Sequence, residues 1–199
     1  MKTFLIEIKT SLILTVVFAL LLCGVYPLAV CVGAQTFFPG KANGSLVMDK
    51  DGTVRGSRLL AQSFTSDKYF QPRPSAAGTG YDATSSSGTN LGPTSQKLAD
   101  SIKANIVAYR NSNSLAAGAT VPADAVTSSG SGLDPHISVA NADIQAARVA
   151  GARAIPISQV RSLVGVHTEK RSFGILGEPV VNVLLLNRAL DAIQASPAR

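Results

Sequence analysis

Apolar and polar positions are distributed unevenly along the 199-residue chain. Residues 10–40 carry no charged side chain, and residues 12–34 (LILTVVFALLLCGVYPLAVCVGA) are almost continuously apolar. A helix of about 22 residues rises roughly 33 Å, enough to cross the hydrocarbon layer of a bilayer. This stretch therefore predicts a single transmembrane helix. A cleaved signal peptide is the competing reading, with Lys2 and Lys9 as its basic start and Val32-Gly33-Ala34 as a small-residue cleavage site. The apolar run exceeds the roughly 7–15 residues of a signal core, so a retained anchor in residues 1–38 is expected. Leu28-Ala29-Val30-Cys31 resembles a lipoprotein acceptor, but valine is ill suited to the place before the cysteine.

Beyond residue 39 the pattern becomes that of a soluble domain, residues 39–199. Leu46-Val47-Met48 and Thr53-Val54-Arg55 flank Asp51-Gly52, which predicts a hairpin whose turn needs positive φ. A further strand is expected over residues 56–62, and then a long Pro/Gly/Ser/Thr-rich loop, residues 71–93, with Tyr81 and Leu91 as its anchors. Leu98, Ile102, Ile106 and Tyr109 fall on one helical stripe. The next helix, residues 139–154, shows a narrow strip of Ile144, Ala147 and Gly151. Asn141, Gln145 and Arg148 stack along another of its faces, with Arg153 nearby. That face reads either as solvated or as a hydrogen-bonding surface for a partner, a loop or a ligand. A third helix begins near Pro156 and carries Val160, Leu163, Val164 and His167. Leu176-Gly177-Glu178-Pro179 turns the chain, and Asn182 caps a last helix lined by Leu186, Leu190 and Ile193. The expected fold class is α+β: one N-terminal transmembrane helix followed by one mixed α/β soluble domain.

The chain also partly repeats itself. Ser86-Ser87-Gly88-Thr89-Asn90-Leu91-Gly92-Pro93 parallels Ser128-Ser129-Gly130-Ser131-Gly132-Leu133-Asp134-Pro135, and each copy precedes a helix. A loop-into-helix device used twice argues for architecture over a catalytic pocket.

Composition narrows the function. The net charge of +6 is spread thinly, with no basic run and no interleaved aromatics, which argues against nucleic acid as a partner. Basic residues near the anchor leave membrane lipid as a partner. Both cysteines, Cys23 and Cys31, lie in the apolar span, which is compatible with an oxidising exterior for the rest. The flanking charges barely decide orientation, whereas an N-terminal anchor with everything else beyond it favours an extracytoplasmic domain. No G-x-S-x-G elbow occurs, and a triad from Ser131, Asp134 and His136 would crowd three roles into one turn. Two distant histidines and no soluble cysteine fall short of a metal-ligand set, and no phosphate-cradling loop is present. The chain reads as a binding or assembly subunit, with an anchored extracytoplasmic serine hydrolase or binding module as the alternative.

Several blocks carry a family resemblance: Gly56-Ser57, Arg73-Pro74-Ser75-Ala76, Tyr81-Asp82-Ala83, Val121-Pro122-Ala123-Asp124, SGSGLDPHIS, Arg148-Val149-Ala150 and LGEPVVNVLLLNRALD. Together they resemble the C subunit of the Kdp-type potassium-transporting ATPase over almost the whole chain. Val180 departs from the polar residue often found there. The resemblance implies an accessory, non-catalytic subunit of a bacterial inner-membrane complex that uses ATP to take up potassium. Its implied partners are the hydrolytic P-type ATPase subunit and a potassium-channel-like subunit. It further implies a catalytic chaperone that raises the ATP affinity of the hydrolytic chain, with Gln145 as the possible nucleotide contact. A periplasmic domain would put ATP on the other side of the membrane. The expected direct role is therefore docking, through Arg73, Ser75, Ser131, Asp134, His136, Asn141, Arg148 and Arg153.

Overall fold

The structure is a computed structural model and describes residues 2–194. Its N-terminal unit is a helical run: α1 (Lys2–Ala19), a π-helical stretch (Leu20–Val25) and α2 (Tyr26–Phe37), followed by the single turn α3 (Pro39–Ala42). The wide turns fall just ahead of Pro27, which supplies no N–H and pushes on the carbonyl one turn back. The apolar run Thr3–Phe37 has 35 residues, or about 52 Å of helix. Its hydroxyls are turned inward: Thr10 Oγ1 donates to the Ile6 carbonyl at 2.9 Å and Thr15 Oγ1 to that of Ser11 at 2.8 Å. A hydrocarbon phase demands such internal satisfaction.

The chain divides into compact units between Leu46 and Val47. The second unit contains β1 (Leu46–Met48), whose first residue lies at the division, and β2 (Val54–Ser57), which form a two-stranded sheet. After a long irregular passage come α4 (Gln96–Ser112) and a 3-10 turn (Ala123–Ala125). Then follow β3 (His136–Ser138), α5 (Val139–Arg153), α6 (Ile157–Val166), β4 (Thr168–Glu169), β5 (Val180–Asn182) and α7 (Val183–Gln194). A three-stranded antiparallel sheet has the order β3-β5-β4, with Ile137 and Thr168 both opposite Val181. The fold is thus α+β, with one helix long and apolar enough to span a membrane.

Side-chain caps set the helix starts. Ser95 accepts from the Leu98 amide, Ser138 from Asn141 at 3.1 Å and Asn182 from Leu185 at 3.2 Å. The core joins Phe70, Ile137, Val181, Val183, Leu186 and Leu190 to Ala142, Ala146, Val149 and Ala150 of α5 and to Val160 and Val164 of α6. Alanines at 142, 146 and 150 repeat every four residues, so α5 presents a flat seam to its neighbours.

Two local expectations change, and two strands were not foreseen. The strand foreseen over residues 56–62 stops at Ser57, where the hydroxyl accepts the Leu59 amide at 3.1 Å and a turn replaces the strand. The strip Ile144, Ala147 and Gly151 is not the buried face of α5, because Ala147 and Gly151 are exposed and Ile144 is half-buried. The strands β3 and β5, three residues each, lie where no alternation is long enough to read.

Candidate functional site

The amide-and-guanidinium face of α5 is turned inward, where it grips residues 67–71. Asp67 and Lys68 are exposed, Tyr69 and Gln71 half-buried and Phe70 buried, and the covered part of such an irregular segment must satisfy its backbone N–H and C=O groups without a ladder partner. Five successive carbonyls here are met by side chains. Arg148 Nη1 donates to the carbonyls of Asp67 (2.8 Å) and Tyr69 (3.1 Å), and Arg153 Nε donates to Lys68 (2.6 Å). Asn187 Nδ2 donates to Phe70 at 2.9 Å and Gln145 Nε2 to Gln71 at 3.0 Å. The same two amides accept in return: Asn187 Oδ1 from the Phe70 N–H and Gln145 Oε1 from that of Gln71, both at 2.8 Å. Two consecutive residues are therefore each held at both backbone groups, one by α7 and one by α5, as a neighbouring strand would hold them.

A second layer orients the clamps. Gln145 Oε1 also accepts from Arg148 Nη2 at 2.8 Å, and Gln145 Nε2 donates to Asn141 Oδ1 at 2.8 Å. Asn141 Oδ1 takes the Tyr109 hydroxyl at 2.7 Å, and its Nδ2 donates to Asp124 at 3.0 Å. Asp124 meanwhile accepts the Ser138 amide and hydroxyl, both at 2.8 Å, and so ties the 3-10 turn to the start of α5. Arg153 pairs with Asp191 at 2.8 Å and lies over the Tyr69 ring at 4.9 Å. Burial holds the Tyr109 phenol well above its usual range and pulls the Arg148 guanidinium below its own.

A latch adjoins the clamp. Arg73 pairs with Asp134 at 3.1 Å and reaches the Ser128 carbonyl at 3.3 Å. Asp134 Oδ1 accepts the His136 amide at 3.0 Å and faces its Nδ1 at 3.4 Å. Partial burial raises the Asp134 carboxyl, but the bonds from His136 and the charge of Arg73 outweigh it and leave the group below its ordinary value. Ser75 Oγ donates to the Gly132 carbonyl at 2.7 Å and accepts the Tyr81 amide at 2.8 Å. The repeated loops meet here as well, Ser87 N donating to Ser131 O at 3.0 Å. Gly132 has φ +68°, and a Cβ on it would lie 2.6 Å from the Ser87 carbonyl and 2.7 Å from the Ala77 amide.

The expected site residues separate into two groups. Asn141, Gln145, Arg148 and Arg153 converge on one internal network, with Gln145 only 1% exposed. Of the partner, loop or ligand foreseen for that face, the chain's own loop occupies it. Arg73, Ser75, Asp134 and His136 build the latch, and Ser131 stands exposed at its edge. Ser131 Oγ accepts the Leu133 amide at 3.1 Å, and among the described residues no hydrogen bond joins it to His136. No group of three metal-ligating side chains occurs among the described residues. Asn187 and Asp124 lie in the blocks that carry the resemblance, but neither was expected as a site residue. The signal for Asn187 was a single amide inside the apolar run VLLLNRAL.

Beside the clamp lies a cleft of about 440 Å³, lined by Gln71, Tyr81, Asn105, Tyr109, Asn141 and Gln145 among others. No charged residue lines it, so a polyphosphate would meet no cation there.

These features define a class: a hydrogen-bonded body that follows an apolar N-terminal helix in the chain and holds its own loops. Residues 8–192 match the family model described as K+-transporting ATPase, c chain (KdpC), and the chain belongs to that family. The potassium-transporting ATPase KdpC subunit of Mycobacterium tuberculosis H37Rv is 53% identical over 187 residues, covering 94% of this chain and 98% of the relative. That of Myxococcus xanthus is 54% identical over 190 residues (96% and 88%), and that of Caulobacter vibrioides 50% over 186 (94% and 93%).

Proposed function

We propose that this chain is an accessory subunit of an ATP-driven potassium uptake complex of the bacterial inner membrane. Its N-terminal helix spans the bilayer and its soluble body lies on the periplasmic side. There it docks on the potassium-channel-like subunit, stabilises the assembly and, as a catalytic chaperone, raises the ATP affinity of the hydrolytic P-type subunit. The body acts through contacts that differ between states of the pump, because a ligand or partner shifts an equilibrium only by its differential affinity for the states.

The observation that carries this reading is the full engagement of Gln145. Both ends of its amide are occupied by Gln71, Asn141 and Arg148. A nucleotide would have to displace contacts that hold the body together. The outward residues of the latch, Ser131 and His136, are the docking contacts, and Arg73, Ser75 and Asp134 set their loop. Asn141, Arg148 and Arg153 support docking from inside.

The second reading is direct nucleotide contact by Gln145, favoured by its place on the wall of the 440 Å³ cleft. Sidedness decides between them. In a chain with Cys23→Ser and Cys31→Ser, a cysteine replacing Asn111 is treated in intact cells with a membrane-impermeant maleimide. Labelling without permeabilisation is expected. Labelling only after permeabilisation refutes the periplasmic placement and restores nucleotide contact. Loss of this chain from the complex on mild detergent purification refutes the accessory role itself.

A further inference from the structure

Between β4 and β5 the chain leaves the sheet and builds a small hairpin of its own, closed by a bridge between Ser172 and Leu176. At its tip the Ile175 amide donates to the Ser172 carbonyl at 3.2 Å. Both central residues of that turn have positive φ, +55° at Phe173 and +78° at Gly174. Such mirror-image turns take asparagine, aspartate or glycine, because a Cβ is strained there. This chain places a phenylalanine in the strained position and leaves the residue 93% exposed. Ile175 and Leu176 beside it are 75% and 58% exposed. Backbone strain combined with an uncovered apolar cluster brings the isolated chain no return, which is the mark of a surface made for something else.

The charges around the tip say what covers it. Arg171 pairs with Glu178 at 2.6 Å, and Glu169 pairs with Arg58 at 3.4 Å. Three cations (Arg58, Lys170, Arg171) against two anions (Glu169, Glu178) leave one surplus positive charge. An anionic lipid surface is recognised by clusters of about 4–8 basic residues, far more than this. A polar rim of paired charges around a charge-free aromatic and aliphatic centre is the anatomy of a protein–protein interface.

We propose that Phe173, Ile175 and Leu176 form a plug that enters an apolar socket on another chain of the potassium-transporting ATPase, with the Arg171–Glu178 pair at its rim. The proposal rests on the reading of this chain as an accessory subunit.

Phe173→Gly gives a test in which fold and assembly move in different directions. Glycine removes the strain, so the thermal midpoint of the full-length chain in detergent is expected to equal or exceed that of the parent. The apparent dissociation constant for the remaining subunits is expected to rise roughly 30-fold. Ile175→Ser should weaken assembly similarly at an unchanged midpoint. Unaltered assembly in both variants overturns the proposal, as does a lowered midpoint in both, which would give the tip a role inside the chain. Binding of the parent to phosphatidylglycerol vesicles that both variants lose, with subunit binding intact, assigns the tip to the bilayer and overturns it too. If the parent itself fails to bind the other subunits, the accessory reading falls first.

Discussion

The amide clamp makes a quantitative prediction about two residues the sequence does not single out as a pair. Asn187→Ala strips both partners from Phe70, which is 0% exposed, so water cannot replace them. Leaving a buried donor or acceptor unsatisfied costs about 1–3 kcal/mol each, which gives about 4 kcal/mol for the two. Gln145→Ala removes more hydrogen bonds. However, Gln71 is half-buried and lines the cleft, where solvent can reach its backbone groups, so the loss is about 2 kcal/mol. For a folded body of this size, 1 kcal/mol moves the melting temperature by roughly 2–4 °C. The expected drops are therefore about 8–16 °C for Asn187→Ala and about 4–8 °C for Gln145→Ala. The assay is thermal unfolding of the full-length chain in mild detergent, followed by far-UV circular dichroism. ATP affinity of the assembled complex is measured in parallel. On this reasoning both variants lower ATP affinity only as far as they lower the amount of folded subunit. A Gln145→Ala chain that melts with the parent yet weakens ATP binding would refute the clamp as the role of Gln145. A larger melting loss at Gln145 than at Asn187 would refute the burial argument.

Three further outcomes follow from the latch and the second layer. Gly132→Ala should destabilise by about 3 kcal/mol or more, from positive φ plus collision with Ser87 and Ala77. Gly130→Ala, two residues earlier with nothing within 4 Å, should stay within about 0.5 kcal/mol, and chemical denaturation compares them. The Asp134 carboxyl is held below its ordinary 3.8, so its contribution is present above that pH and is lost as pH falls through the lower folded value. The stability gap between parent and Asp134→Asn, measured from pH 7 down to pH 3, should therefore close with acid. The Tyr109 phenol is shifted upward by burial from 10.0, so its contribution is complete below pH 10 and declines above it. Tyr109→Phe should be less stable than the parent at pH 7 yet lose less between pH 9.5 and pH 11.

Elements governed by a repeating apolar period were legible in the sequence. The stripe through Leu98, Ile102, Ile106 and Tyr109 lies on α4, and Asn182 caps α7 as its position implied. The helix spanning residues 139–153 was placed correctly, but its inward face was not. Hydrophobicity was the wrong guide there, because the buried side of α5 consists of three alanines, three polar residues and a single valine. Asn141, Gln145 and Arg153 are each at most 5% exposed, whereas Ala147 points outward. A helix that packs against an irregular segment must offer hydrogen bonds as well as surface, so its inward face reads as an outward one.

The same physics explains why residues 67–93 could not be read. Nothing in a Pro/Gly/Ser-rich passage announces that its backbone and side chains find partners more than sixty residues away. Gln71 finds Gln145, Phe70 finds Asn187, and Arg73 finds Asp134 only once α5, α7 and the second repeat are assembled. The matching Ser-Ser-Gly loops gave the one local hint, since two copies of a device that press together need glycine where they touch. A Cβ on Gly88 would lie 2.9 Å from the Gly130 carbonyl, and one on Gly132 would meet Ser87. The polar chemistry that seemed available for a ligand is consumed in closing these contacts. On the proposed docking role, recognition would fall to Ser131 and the half-buried His136 at the edge of the latch and to the exposed apolar tip at Phe173.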